Sequence, residues 1–357
     1  MIILRKTRFP ESADASRLVE LINRLNLPSR RIKILNLCGS HEHTVCQWGL
    51  RSLMPSNVEL VPGPGCPVCV SSEEDIANAI IISQRERTIL ATYGDMMRVP
   101  TRMGTLKDSG GNLCMVTSPQ EVVSLCKRHP QHQVVFFSVG FETTVAPVAT
   151  LLEGNPPENL RMLTSHKLTP VIMEYLLRER KSSIDALVAP GHVSVITGTK
   201  VWEFLPREYR IPVVVAGFTP EDVLSAVALI LKQLREGNPK VENIYRGVVK
   251  DEGNKKAQKM IDRHFFTATA KWRAIGMVPD SGLFLRERWS HIDARKVFPF
   301  QEMEERESHG CICSQVILGE AYPKECPLFK RECSPSRPVG PCMVSTEGAC
   351  RIWFSHG

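Results

Sequence analysis

The chain has 357 residues, 43% of them hydrophobic and 23% charged, with a formal net charge of +7. These values lie near the averages of soluble globular proteins and exclude collagen-like, coiled-coil and disordered classes. So mild a basic excess, spread over this length, makes no case for a nucleic-acid partner.

The first 30 residues, MIILRKTRFPESADASRL onward, carry early charge and no apolar core of the secretory type, so no signal is expected. This segment is expected to pack on a C-terminal domain. Short, β-branched-rich runs at Ile32–Leu37, Val58–Val61, Thr88–Thr92, Val134–Val139, Ala186–Ala189 and Pro212–Ala216 read as buried strands. Amphipathic stretches at Glu73–Arg87, Pro119–Arg128, Thr169–Arg180 and Pro220–Arg235 read as helices. Three of them open on cap chemistry: Ser71 with Glu74, Ser118 with Glu121, and Thr219 with Asp222. The alternation predicts an α/β protein with parallel sheets covered by helices on both faces. It divides into two similar domains, 31–130 and 131–245, at His129-Pro130-Gln131-His132-Gln133. From 246 to 357 the chain turns charged and aromatic without clear strands, then rich in Cys, Pro and Gly, which predicts a small third domain held by a metal. No apolar run reaches the roughly 18–20 residues of a membrane span, so a cytoplasmic location and no membrane partner are expected.

In a reducing compartment, the 12 cysteines read as thiols, metal ligands or redox groups rather than structural disulfides. Six lie in the first 126 residues and six in the last 47, which points to two separate pieces of sulfur chemistry. Cys38-Gly39-Ser40-His41-Glu42-His43 follows the first strand, where open α/β sheets carry their ligand sites. A thiol at that helix start, near His41 and His43, is expected to favour the thiolate. Gly63-Pro64-Gly65-Cys66-Pro67-Val68-Cys69 repeats the arrangement after the second strand. Its C-x-x-C reads either as a redox dithiol or as half of a metal site. If the two strands are neighbours, Cys38, Cys66 and Cys69 meet at one sheet edge. Glu142, in Gly140-Phe141-Glu142-Thr143-Thr144, and His192, in Pro190-Gly191-His192-Val193-Ser194, follow two further strands as candidate acid–base groups. Cys311, Cys326, Cys333 and Cys350, spaced by 14, 6 and 16 residues, offer four thiolates for either zinc or a cubane iron–sulfur cluster. Glycine-rich phosphate loops are missing, which argues against dinucleotide or ATP chemistry.

These clusters, with Tyr93-Gly94-Asp95-Met96 between them, resemble almost end to end the HypD family of hydrogenase maturation proteins. The resemblance implies two α/β domains and a C-terminal domain with a [4Fe–4S] cluster on Cys311, Cys326, Cys333 and Cys350. It implies a scaffold on which the Fe(CN)2CO unit of nickel–iron hydrogenase is assembled. Iron would bind at Cys38, Cys66 and Cys69, and His41, His43, Glu142 and His192 would serve the site. The implied partners are the chaperone HypC in a stable complex, HypE with HypF upstream as cyanide donor, and indirectly the hydrogenase large subunit. The family's first motif usually reads C-G-G-H-T-H, and Ser40 and Glu42 depart from it. A stand-alone iron–sulfur thiol/disulfide reductase is the alternative, and a structural zinc protein a third.

Overall fold

The computed structural model describes residues 12–180, 182–304 and 309–357. Its strands, among the described residues, are β1 (Ile32–Asn36), β2 (Val58–Pro62), β3 (Thr88–Thr92), β4 (Leu113–Met115), β5 (Gln133–Gly140) and β6 (Leu160–Lys167). They continue with β7 (Ala186–Pro190), β8 (Val213–Ala216), β9 (Val241–Asn243), β10 (Phe265–Trp272) and β11 (Gly276–Leu285). They form two sheets. The first is parallel throughout, in the order β2-β1-β7-β8-β9; the second runs β10-β11-β6-β5-β3-β4, with only the β10–β11 hairpin antiparallel to its neighbours. The α/β class with two mostly parallel sheets is therefore as read from the sequence.

Sheet membership is not. The division into 31–130 and 131–245 puts β1 to β4 together, whereas the first sheet pairs β1 with β7, Ile34 opposite Ala186, and the second pairs β3 with β5, Thr88 opposite Gln133. The chain leaves the first sheet after β2, builds most of the second, and returns. Apolar runs reveal that a strand is buried, but not beside which strand it lies. The stretch after 246 also contributes β10 and β11 to the second sheet. That hairpin was hidden because Phe266, Thr267 and Thr269 of β10 face solvent, so it lacks the continuous apolar run of an inner strand.

Each sheet buries side chains on both faces. In β5 alternate residues divide cleanly: Val135, Phe137 and Val139 enter one cluster, Val134 and Phe136 the other. Fully burying each such side chain contributes about 1.5–3 kcal/mol. The first sheet does the same with Ile34 and Val188 against Leu35 and Leu187. Ser118 and Thr219 cap their helices as expected, the latter in a full capping box with Asp222. Ser72 rather than Ser71 caps the helix Glu73–Ser83, accepting from the Asp75 N–H, because Ser71 closes the preceding turn by donating to the Pro67 carbonyl. The N-terminal helix Ala13–Arg24 buries Ala15 and Ile22 against Val223, Val227 and Ile230 of the helix Pro220–Glu236, in the core of the first sheet. Packing of this segment on the C-terminal region is thus corrected for residues 12–30; residues 1–11 lie outside the described residues. An amphipathic stripe finds the nearest apolar groove, and that groove is here.

Residues beyond 310 wrap onto the second sheet. Val316, Cys333, Cys342, Met343 and Cys350 join Phe137, Phe141 and Trp272 in one core cluster, together with Cys66 and Cys69. The C-x-x-C loop thus leaves the end of a first-sheet strand and plugs into the second sheet's core.

Candidate functional site

β1 ends at Asn36, and two residues later Cys38 forms the N-cap of the helix Gly39–Gln47. β2, its parallel neighbour, runs out at Pro62 into Gly63-Pro64-Gly65-Cys66. Gly65 lies so close to the first loop that a Cβ there would stand 2.6 Å from the Cys38 backbone nitrogen. This close approach brings Cys38, Cys66 and Cys69 to the walls of one cavity. Cys66 and Cys69 are joined as a disulfide, the oxidised form of the dithiol reading.

Asn36 and Glu42 add to these walls, and the C-terminal segment supplies Ile317, Cys342, Glu347 and Ala349. Glu347 packs on Gly39, where any added Cβ would lie 2.5 Å from Glu347 atoms, so only glycine fits. No sequence motif marks Glu347. The enclosure reverses the expected acidity of Cys38. Burial, and then the Glu347 carboxylate, push the thiol up to about 11, against the pull of the Ser40 and His41 backbone N–H groups. The helix end lowers the thiol pKa as expected, but loss of water outweighs it.

His41 is fully buried and stacks on Phe218, with ring centroids 4.7 Å apart. Its Nε2 lies 2.8 Å from the Gly217 carbonyl oxygen. A carbonyl oxygen only accepts, so Nε2 carries the proton and Nδ1 keeps its lone pair. Burial lowers its pKa to about 4, so the ring is neutral, and Nδ1 is buried without a hydrogen-bond partner among the described residues. His192, in the helix Gly191–Thr197 just after β7, also stacks on Phe218, at 4.0 Å. The β8 end thus adds Gly217-Phe218, missed in the sequence; a glycine and an aromatic directly after a strand were the available signal.

None of the four expected acid–base residues, His41, His43, Glu142 and His192, lines the Cys38 cavity. His43 turns away to the end of the chain, edge-on to His356 at 4.7 Å. Positions 41 and 43 of one helix point about 200° apart, so they cannot serve one site. Glu142 opens the helix Glu142–Glu153 on the second sheet and accepts from the Thr169 N–H and hydroxyl at 2.8 and 3.2 Å. It does not line the Cys38 cavity. Burial pushes its carboxyl up to about 7.

Cys311, Cys313, Cys326, Cys333, Cys342 and Cys350 line a second cavity with Val316, Phe329, Gly340 and Met343. A Cβ at Gly340 would intrude to 3.1 Å from the Cys311 sulfur. Among the described residues no group of three or more His, Cys, Asp or Glu side chains forms a site for one metal ion. The donor set is six thiols, and the walls hold neither imidazole nor carboxylate, which fits a soft, sulfur-ligated iron group. Cys313 and Cys342 belong to this nest along with the four expected ligands. Cys342 also lines the Cys38 cavity, so one side chain separates the two.

Fold and site together define an α/β protein built around cysteine sulfur, with a Cys66–Cys69 disulfide beside Cys38 and a thiol-lined nest behind it. The model of the HypD family, described as "Hydrogenase formation hypA family", matches residues 13–357. A hydrogenase expression/formation protein of Methanocaldococcus jannaschii is 41% identical over 95% of this chain and 96% of its own. Hydrogenase maturation factors HypD of Azotobacter vinelandii and Escherichia coli K12 are 37% and 36% identical, over 98% and 92% of this chain and 96% and 90% of theirs. The chain belongs to the HypD family, whose role is in hydrogenase maturation.

Proposed function

We propose that this chain is the scaffold, with HypC, on which the Fe(CN)2CO unit of nickel–iron hydrogenase is assembled. The observation that carries the reading is the single cavity walled by Cys38, Cys66, Cys69 and Cys342, the last of which also lines the thiol nest. Iron bearing cyanide and carbonyl is the cargo, and thiolates are the soft donors it requires. Cys38 loses its proton on binding iron. The Glu347 carboxylate, in the wall of the same cavity and close enough to act on Cys38, is the proton acceptor. Before Cys66 and Cys69 can ligate, their disulfide must take up two electrons and two protons to give two thiols. A [4Fe–4S] cluster held by Cys311, Cys326, Cys333 and Cys350 would supply those electrons one at a time from an external one-electron reductant. HypE, charged by HypF, is the cyanide donor, and the hydrogenase large subunit is the eventual recipient. No helix among the described residues is long and apolar enough to cross a membrane, which is compatible with cytoplasmic assembly.

The disulfide favours a second reading, a stand-alone iron–sulfur thiol/disulfide reductase. Infrared spectra of anaerobically purified complex with HypC separate the two. Bands of metal-bound cyanide and carbon monoxide are expected for the scaffold, and their absence from a fully loaded complex selects the reductase.

A further inference from the structure

Glu42 lies four residues beyond Cys38, its side chain lines the same cavity, and only 2% of that side chain is exposed. Its Oε1 accepts from Arg51 at 2.8 Å and from the Trp353 indole N–H at 2.6 Å; its Oε2 accepts from Arg51 at 2.6 Å and Asn36 at 2.9 Å. Arg51 also donates from Nε to the Leu60 carbonyl, and its guanidinium lies over the rings of Trp353 and Tyr322, 4.9 and 5.8 Å from their centroids. One carboxylate therefore ties the end of β1, the Cys38 helix and the loop before β2 to the C-terminal helix Ala349–His356. That helix carries Cys350 in its first turn and follows directly on Glu347, the residue seated over Gly39.

We propose that Glu42 is a positioning residue: through Trp353 it fastens the C-terminal segment as the closed wall of the Cys38 cavity. The proposal rests on this geometry alone and not on the iron-scaffold reading. Four links along the helix, Trp353 to Ala349, connect the clamp to the wall residues Ala349 and Glu347. A charge-assisted hydrogen bond shielded from water holds such a contact more firmly than a neutral one. Releasing it should let the segment open locally while both sheets stay folded.

The test is the alkylation rate of Cys38 by iodoacetamide, read by mass spectrometry on the full chain, with Cys126 in the second sheet's core as an internal control. Trp353→Phe keeps the ring beneath Arg51 and removes only the N–H donor. It is expected to raise the Cys38 rate about tenfold, the equivalent of one lost charge-assisted bond, and to leave the Cys126 rate unchanged. Glu42→Gln, which retains an acceptor for Trp353 but loses the ion pair, should raise the Cys38 rate less than Glu42→Ala does. An unchanged Cys38 rate in Trp353→Phe overturns the proposal. So does a parallel rise at Cys126, which would show general loosening. Absence of iron–cyanide bands in the wild-type complex would defeat the scaffold reading and leave this result standing.

Discussion

The carboxyl edges of the two sheets start from the same architecture and diverge in chemistry. The first sheet presents Cys38, the Cys66–Cys69 pair, His41 and His192, and leaves His41 Nδ1 without a partner. The second presents Glu142, His166 and Lys167, each bonded within the fold, although His166 Nδ1 is buried without a partner among the described residues just as His41 Nδ1 is. Glu142 accepts from Thr169; His166 Nε2 lies 2.8 Å from the Ser138 hydroxyl; Lys167 donates to the Lys271 carbonyl and lies over Trp272. The difference teaches that strand-end position nominates residues, while the convergence of sulfur on shared cavity walls selects among them. The C-terminal nest and the C-x-x-C loop reach the second sheet through its core, where they pack together.

The largest expected effect breaks that junction. Replacing Cys333 with Ser should abolish iron binding at the nest and destabilise the C-terminal region by well over about 3 kcal/mol, because metal–ligand bonds supply folding free energy to a loop-rich segment. Iron content and thermal melting of the anaerobic protein check this. Cys342→Ser should retain the iron, and its loss would mean that Cys342 belongs to the ligand set.

Next comes the clamp on the first sheet. Arg51→Met leaves the buried Glu42 carboxylate without its cation and should cost about 3–5 kcal/mol in urea unfolding. A loss below about 1 kcal/mol would show that Asn36 and Trp353 suffice.

On the second sheet, Glu142 is expected to affect stability rather than reactivity. Its carboxyl is raised from an ordinary 4.5 to about 7 by burial, so the folded state holds the proton more tightly than the unfolded one. Its contribution is complete below pH about 4.5 and is lost as pH rises through about 7, amounting to about 3 kcal/mol. Glu142→Gln should flatten that part of the stability–pH curve; an unaltered curve would contradict the assignment. The smallest effect is expected at His43, which faces His356 rather than the cavity. His43→Ala should change stability by no more than about 0.5 kcal/mol and leave Cys38 alkylation unaltered.

Strand positions, the parallel class and the meeting of Cys38 with Cys66 and Cys69 were legible in the sequence, because apolar runs and strand-end loops are local signals. The interleaving of the sheets was not, since the β1–β7 pairing joins residues about 150 apart. Glu347, Arg51, Trp353 and Phe218 were missed for a related reason: each is a single residue brought in by tertiary packing, with no spacing to announce it. The acidity of Cys38 was misjudged because a helix start is visible in sequence, whereas the wall that dries it comes from more than 300 residues further along.

The central claim is that the first sheet's thiol edge, and not the second sheet or the nest, holds the iron cargo. Infrared spectroscopy of the anaerobic HypC complex, wild type against Cys38→Ala, tests it most directly. The account predicts cyanide and carbonyl bands in the wild type and none in Cys38→Ala, with iron at the C-terminal nest unchanged. Bands of equal strength in Cys38→Ala would contradict it.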